Sequence, residues 1–331
     1  MKKPDTAIND NIEDRLDGAK DVLLAPIQGP DSRRQLPTEL FTKRPLRFTM
    51  KFFMAALIIA ATWTTVITVQ QWWITGASVI VMGMMYAHLV TLQHECLHEH
   101  AYRRRWVNRL VGFICGLFVL SSYSHFKYEH LRHHAFLGTP KNQEFFNYRF
   151  HDLGTPLGFA LCAFNLGRYL NVTKGLGRSL IWQLDPSVIK TQSAKKIRTE
   201  YVAFAIIILS TAIVSIATAS PLVLLLWVLP ALLVAEPAHF LIELPEHFGL
   251  NSQTDPNVLS NTRTVRTGWF GKWYTNGNDL HTAHHYHQGV PMVNVPELHE
   301  MIENRIATIE PSYFSFYRDV AKGRIRYQDF S

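Results

Sequence analysis

The chain has 331 residues, 47% of them hydrophobic and 18% charged, with a net charge of +7, a balance that fits either one large soluble domain or a membrane protein with sizeable polar parts. The placement of charge excludes the first, because residues 52–102 and 199–262 contain no lysine or arginine. Three cysteines, Cys96, Cys115 and Cys162, give no paired framework and are expected to be free thiols on a reducing face.

Residues 1–45 are polar, Pro-containing and rich in both charge signs, the pattern of a loosely ordered cytoplasmic leader and not of a cleavable signal peptide. Residues 46–331 are expected to form one membrane domain. Phe52 to Val69 and Ala77 to Leu92 are apolar runs separated by QQWWITG, which reads as a transmembrane hairpin with Trp72 and Trp73 in the headgroup belt. The second run leads into HECLHEH, residues 94 to 100. Its first five residues fit the HExxH pattern in which two histidines one helical turn apart bind zinc and the glutamate acts as base.

Further along, Leu110 to Leu120 and Pro156 to Leu170 are apolar but short and contain or adjoin arginine, so interfacial or re-entrant helices are predicted there. Between them lies His130-Leu131-Arg132-His133-His134. A second pair of apolar runs, Tyr201 to Ala219 and Pro221 to Ile242, meets at about Ser220 with almost no loop, giving four spans in two hairpins. The last span ends in Glu236, His239, Glu243 and His247, spaced so that a continuous helix sets them in one stripe. Ionisable groups near membrane depth are costly and usually functional. His281-Thr282-Ala283-His284-His285 follows. Basic residues flank the spans only on the side of the two termini and the central segment, which places all three in the cytoplasm.

The chain has 16 histidines, and three clusters repeat imidazoles at helical spacing. Residue type leaves iron, zinc, copper and nickel open. Eight histidines in three boxes exceed the three or four ligands of one zinc and favour two metals bridged between helices. All three boxes can meet just below the membrane. The zinc protease reading needs one further ligand and leaves both HxxHH boxes unexplained. The expected fold is therefore an all-α integral membrane protein with four transmembrane helices and a cytoplasmic helical cap that holds the metals.

With HxxxH, HxxHH and HxxHH boxes after paired hairpins, residues Phe52 to His299 resemble the membrane fatty acid desaturase and hydroxylase superfamily. FKYEHLRHHAFLGTP is similar to the family's second box and NDLHTAHHYHQGVPMVNVPELHE to its third. The resemblance implies a non-haem site of two iron ions, O2 as co-substrate and a fatty acyl or related lipid chain as substrate. The implied ligands are His94, His98, His130, His133, His134, His281, His284 and His285. ELPEHFGL is similar to the NYxEHYGL stretch of membrane alkane hydroxylases, which adds His247. Glu243 stands where those relatives carry asparagine, and its carboxylate is expected either to bind iron or to orient His247.

The spacing of the boxes favours a fatty acid desaturase. The alternatives are a hydroxylase or a terminal-alkene-forming fatty acid oxidase of the same superfamily. No haem-binding HPGG segment, cysteine cluster or Gly-rich nucleotide fingerprint is present, so an external ferredoxin- or cytochrome-type electron donor is implied. Arg103-Arg104-Arg105 and Lys190 to Arg198 suit either an acidic donor or anionic lipid headgroups. A bacterial inner membrane is the expected location, and no nucleic-acid partner is expected.

Overall fold

A computed structural model describes residues 36–69, 71–142, 150–188 and 191–328; the expected leader lies outside these residues up to position 35. In chain order the helices are α1 (Pro45–Val69), α2 (Trp72–Leu97), α3 (Arg105–Gly116), α4 (Tyr123–Phe136), α5 (Pro156–Ala163), α6 (Leu166–Leu180), α7 (Thr191–Ala217) and α8 (Leu224–His247). Five shorter helices follow, α9 (Val258–Asn261), α10 (Trp269–Tyr274), α11 (His281–Tyr286), α12 (Val295–Ile302) and α13 (Tyr313–Ala321). Among the described residues one two-residue pair of parallel strands joins β1 (Thr264–Val265) to β2 (Ile309–Glu310).

Among the described residues four helices, α1, α2, α7 and α8, are long and apolar enough to cross a membrane. Each is offset from the apolar run that announces it. Helix α1 begins at Pro45, whose fixed φ suits a first turn, and runs for two turns of mixed residues, with Arg47, Thr49 and Lys51 among them, before the apolar run. Helix α2 begins at Trp72, so the tryptophan pair occupies its first turn and not the connection; both rings are exposed. It also runs on to Leu97, which keeps His94 on a continuous helix with the apolar run. Leu57, Ile80, Ile206, Leu209 and Ile213 point outward from these helices, an apolar exterior that suits lipid.

The fourth long helix is not regular. Leu224–Val228 and Pro230–Ala235 are π-helical, and α-helical bonding resumes at Glu236. Pro230 has no N–H to offer Leu226, and the Leu226 carbonyl accepts the Tyr86 hydroxyl of α2. At the same level Gly83 permits the two helices to touch, because a Cβ there would meet the Val234 Cβ at 2.3 Å and the Pro230 oxygen at 2.6 Å.

Helix α3 and the 3-10 turn Leu117–Val119 lean into this bundle. Phe118 stacks on Tyr86 at 4.2 Å, and Trp227 Nε1 donates to the Phe118 carbonyl at 2.7 Å. The chain then reverses at Leu120, φ 55°, and α4 leaves at 98° to α3. This is the Leu110 to Leu120 element expected to be interfacial or re-entrant. The Pro156 to Leu170 stretch forms two helices, broken at Asn165 with φ 47°.

Candidate metal centre

Helix α4 carries the middle histidine box, and its N-terminus is fixed from two sides. Ser122 caps it by accepting the His125 N–H at 3.1 Å. Glu200 of α7 then accepts from the Ser122 hydroxyl at 2.8 Å, the Ser124 N–H at 2.8 Å and the Ser124 hydroxyl at 2.6 Å. A carboxylate at a helix N-terminus is favoured by the orphan donors there. The last box lies on α11, only six residues long. Its approach is held by Asp279, which accepts from Thr267 at 2.6 Å and Thr275 at 2.8 Å, and by a left-handed turn at Asn276 and Gly277.

These supports bring histidines of α2, α4, α8 and α11 into two groups. His94, His98, His130, His134 and His284 form one, and His133, His247, His281 and His285 the other; within each group one nitrogen per ring lies within 4.8 Å of all the rest. Their Nε2 atoms face one another, at 2.9 Å for His94 to His130, 2.9 Å for His98 to His130 and 3.0 Å for His281 to His247. The nine histidines singled out in the sequence are the nine in these groups. Adjacent histidines divide between them: His133 and His134 go to different groups, as do His284 and His285.

The donor set fits metal ions. Burial, followed by neighbouring imidazoles, holds His130, His134, His284 and His285 well below the usual histidine range, leaving them neutral with a lone pair to give. Convergent lone pairs repel unless a cation sits between them. No cysteine belongs to either group, and an all-imidazole set of five and four nitrogens suits iron better than one tetrahedral zinc.

Two outward ring nitrogens have hydrogen-bond partners that the sequence does not advertise, those of His133 and His247, and a third, on His281, faces a carboxylate without a hydrogen bond. His133 Nδ1 lies 3.1 Å from Asn142 Oδ1, His247 Nδ1 donates to the Asn261 carbonyl at 3.2 Å, and Glu246 Oε2 stands 3.5 Å from His281 Nδ1. Such contacts fix tautomer and ring orientation. Glu95, the base of the HExxH reading, instead accepts from Asn276 Nδ2 at 2.8 Å. Glu243 belongs to neither group; its carboxylate is 3.2 Å from His239 Nδ1, one turn earlier on α8.

Glu243 and His239 line a cavity of about 370 Å³ that begins beside the groups, at Val90 and Phe126, and reaches Lys174 and Arg178 of α6. The Phe126 ring is 5.7 Å from that of His130. Arg168, also in its wall, is bound to Glu236 and donates to the Val119 carbonyl at 2.7 Å. These charged wall residues other than the α8 stripe carry no motif.

Residues 70–317 match the family model described as fatty acid desaturase. The chain is 24% identical over 126 residues, 38% of this chain and 35% of the relative, to the sn-1 acyl-lipid omega-3 desaturase (ferredoxin) of Nostoc sp. (strain 36). It is 30% identical over 101 residues, 30% of this chain and 19% of the relative, to the acyl-lipid (9-3)-desaturase of Physcomitrium patens. With the acyl-lipid omega-3 desaturase (cytochrome b5) of Arabidopsis thaliana, endoplasmic reticulum, it shares 25% over 119 residues, 36% of this chain and 31% of the relative. The chain spans about a third or less of the length of the curated relatives it matches.

Proposed function

The chain belongs to the fatty acid desaturase family, and from that premise we propose that it is an integral membrane oxidoreductase that oxidises a C–H bond of a fatty acyl or related lipid chain with O2. Desaturation is the first reading. The observation that carries it is the convergence of nine buried imidazoles from four helices into two groups. Those nine residues would hold two iron ions, which when bound supply O2 activation and hydrogen abstraction. The protein's own share is to hold the rings through Asn142, the Asn261 carbonyl and Glu246, and to present the chain beside Val90 and Phe126 away from water. In this reading residues 46–331 are one catalytic domain with its four long helices paired as two hairpins. The metal groups and both termini face the cytoplasm of a bacterial inner membrane, and a separate ferredoxin- or cytochrome-type protein supplies electrons.

The test is metal analysis of the purified protein, then expression with a donor system and mass spectrometry of lipids and headspace volatiles. About two irons per chain and a new double bond are expected. One zinc without iron would end the oxidase reading.

A second reading, hydroxylation or release of a terminal alkene, is favoured by one observation. The cavity whose wall includes Phe126, the ring beside His130, is flanked by charged side chains along its length, including Arg168, Glu236, His239 and Glu243. A polar substrate end fits such a wall better than the middle of a hydrocarbon chain does. A hydroxylated product or a volatile alkene in the same experiment selects this branch.

A further inference from the structure

On the other side of α4 from the cavity lies a basic groove of about 260 Å³. At about 100° per residue, His125, Phe126 and Glu129, which line the cavity, fall on one face of α4, and Lys127, Tyr128 and Leu131, which line the groove, fall on the opposite face. His130 and His134 project between the two. The groove is walled by four cations, Arg105, Arg109, Lys127 and Lys196, against one lining carboxylate, Glu99, and a second behind the wall, Glu200, which pairs with Arg109 at 2.9 Å. Arg103 and Arg104 are exposed on its approach and have no carboxylate partner among the described residues. Its floor is Glu99, fixed by Lys127 at 2.7 Å and Arg105 at 3.3 Å. Glu99 follows His98 directly in the chain, and His98 belongs to the five-histidine group.

We propose that this groove is the docking site of an acidic one-electron carrier protein, which delivers electrons through its floor to the metal group while the lipid chain enters from the opposite face of α4. The proposal rests on the functional reading above. Desaturation removes two electrons and two protons from the chain, and reduction of O2 to two waters takes four of each. The remaining two electrons come singly from two reduced carriers, each oxidised in turn, and the remaining protons from water. Charge complementarity selects the partner, since an excess of cations over these two carboxylates attracts an acidic surface and steers its approach. Lipid phosphate would satisfy the same cations, but it has no need of a floor that reaches the histidines, and that floor is what sets this groove apart from the other basic segments.

The test uses the full, iron-loaded chain in nanodiscs of uncharged phosphatidylcholine, with a plant-type [2Fe–2S] ferredoxin as the probe. Arg104→Glu and Lys196→Glu are compared with Lys322→Glu, a charge reversal on a distant exposed site. Each groove variant is expected to weaken ferredoxin binding and raise its KM by about tenfold, with kcat at saturating ferredoxin unchanged and the loss steepening with salt. Iron content and reduction by dithionite should match the wild type. Ferredoxin binding equal to that of the Lys322→Glu control overturns the proposal. So does a loss confined to binding of phosphatidylglycerol vesicles, which would make the groove a headgroup site. A wild type without iron would instead defeat the functional reading, and ferredoxin binding would still report on the groove.

Discussion

The carboxylate of Glu200, on α7, accepts the backbone N–H of Ser124, in the first turn of α4, at 2.8 Å. One buried side chain thus ties an apolar helix to the helix that carries three of the histidines. In its pair with Arg109 the guanidinium side chain is 38% exposed, so solvent screens that contact and the serine contacts dominate. Glu200→Ala should lower stability by about 3 kcal/mol, the scale for removing charged hydrogen bonds from a buried site. Iron retention should fall with it, and Glu200→Gln should keep part of both. Thermal unfolding and metal content together measure this; an unchanged midpoint in Glu200→Ala would show that the clamp is dispensable.

His284 and His285 are neighbours in sequence yet belong to different groups. His284→Ala and His285→Ala should each abolish turnover while removing about one iron of two, and different ones. Mössbauer or X-ray absorption spectra of the two variants should therefore differ. Identical residual spectra would argue for a single shared site.

Asn142 lies within hydrogen-bond distance of the His133 ring and Glu246 stands 3.5 Å from the His281 ring, whereas Glu243 faces His239. Asn142→Ala and Glu246→Ala should weaken iron binding about 10- to 100-fold in chelator competition. Glu243→Gln should leave iron affinity as it is and lower turnover through the cavity wall. An iron loss in Glu243→Gln as large as that in Asn142→Ala would return Glu243 to the metal groups.

Burial and neighbouring rings depress His130, His134, His281, His284 and His285 below the ordinary histidine value of about 6.5. The unfolded chain therefore binds more protons than the folded one below that value, and stability falls as pH drops through it. Above it the contribution is complete. Metal release and loss of stability should both set in below about pH 6.5, and a flat profile from pH 7.5 to 5 would contradict neutral buried rings.

The histidine boxes and the four apolar runs were legible because each is a local pattern, read at the period of a helix. What joins them was not. Asn142 meets His133 across the end of α4, Asn261 reaches His247 from a separate helix, and Glu200 sits at the edge of an apolar run with no motif around it. Glu243 has a histidine one turn away on each side, His239 and His247, and helical spacing treats them alike. The fold distinguishes them, because the His247 ring is turned into its group with Nδ1 on the Asn261 carbonyl. The HExxH pattern was ambiguous for the same reason: only the position of Asn276 shows where the Glu95 carboxylate goes.

The widened turns of α8 act as a phase shift. A π-helical turn accommodates one more residue than an α-helical turn, so the stretches Leu224–Val228 and Pro230–Ala235 set the rotational angle at which everything below them emerges. Leu229, between the two stretches, is α-helical, and deleting it with the widened turns kept should turn Glu236 to His247 by about 100° while shortening the helix by about 1.5 Å. The segment would still be long and apolar enough to sit in lipid. His247 would leave its group, and His239 and Glu243 would leave the cavity wall together. Hydrophobicity thus tolerates a change in the length of this helix that the metal groups do not, and the deletion variant should reach the membrane in normal amounts but lose the iron of the four-histidine group.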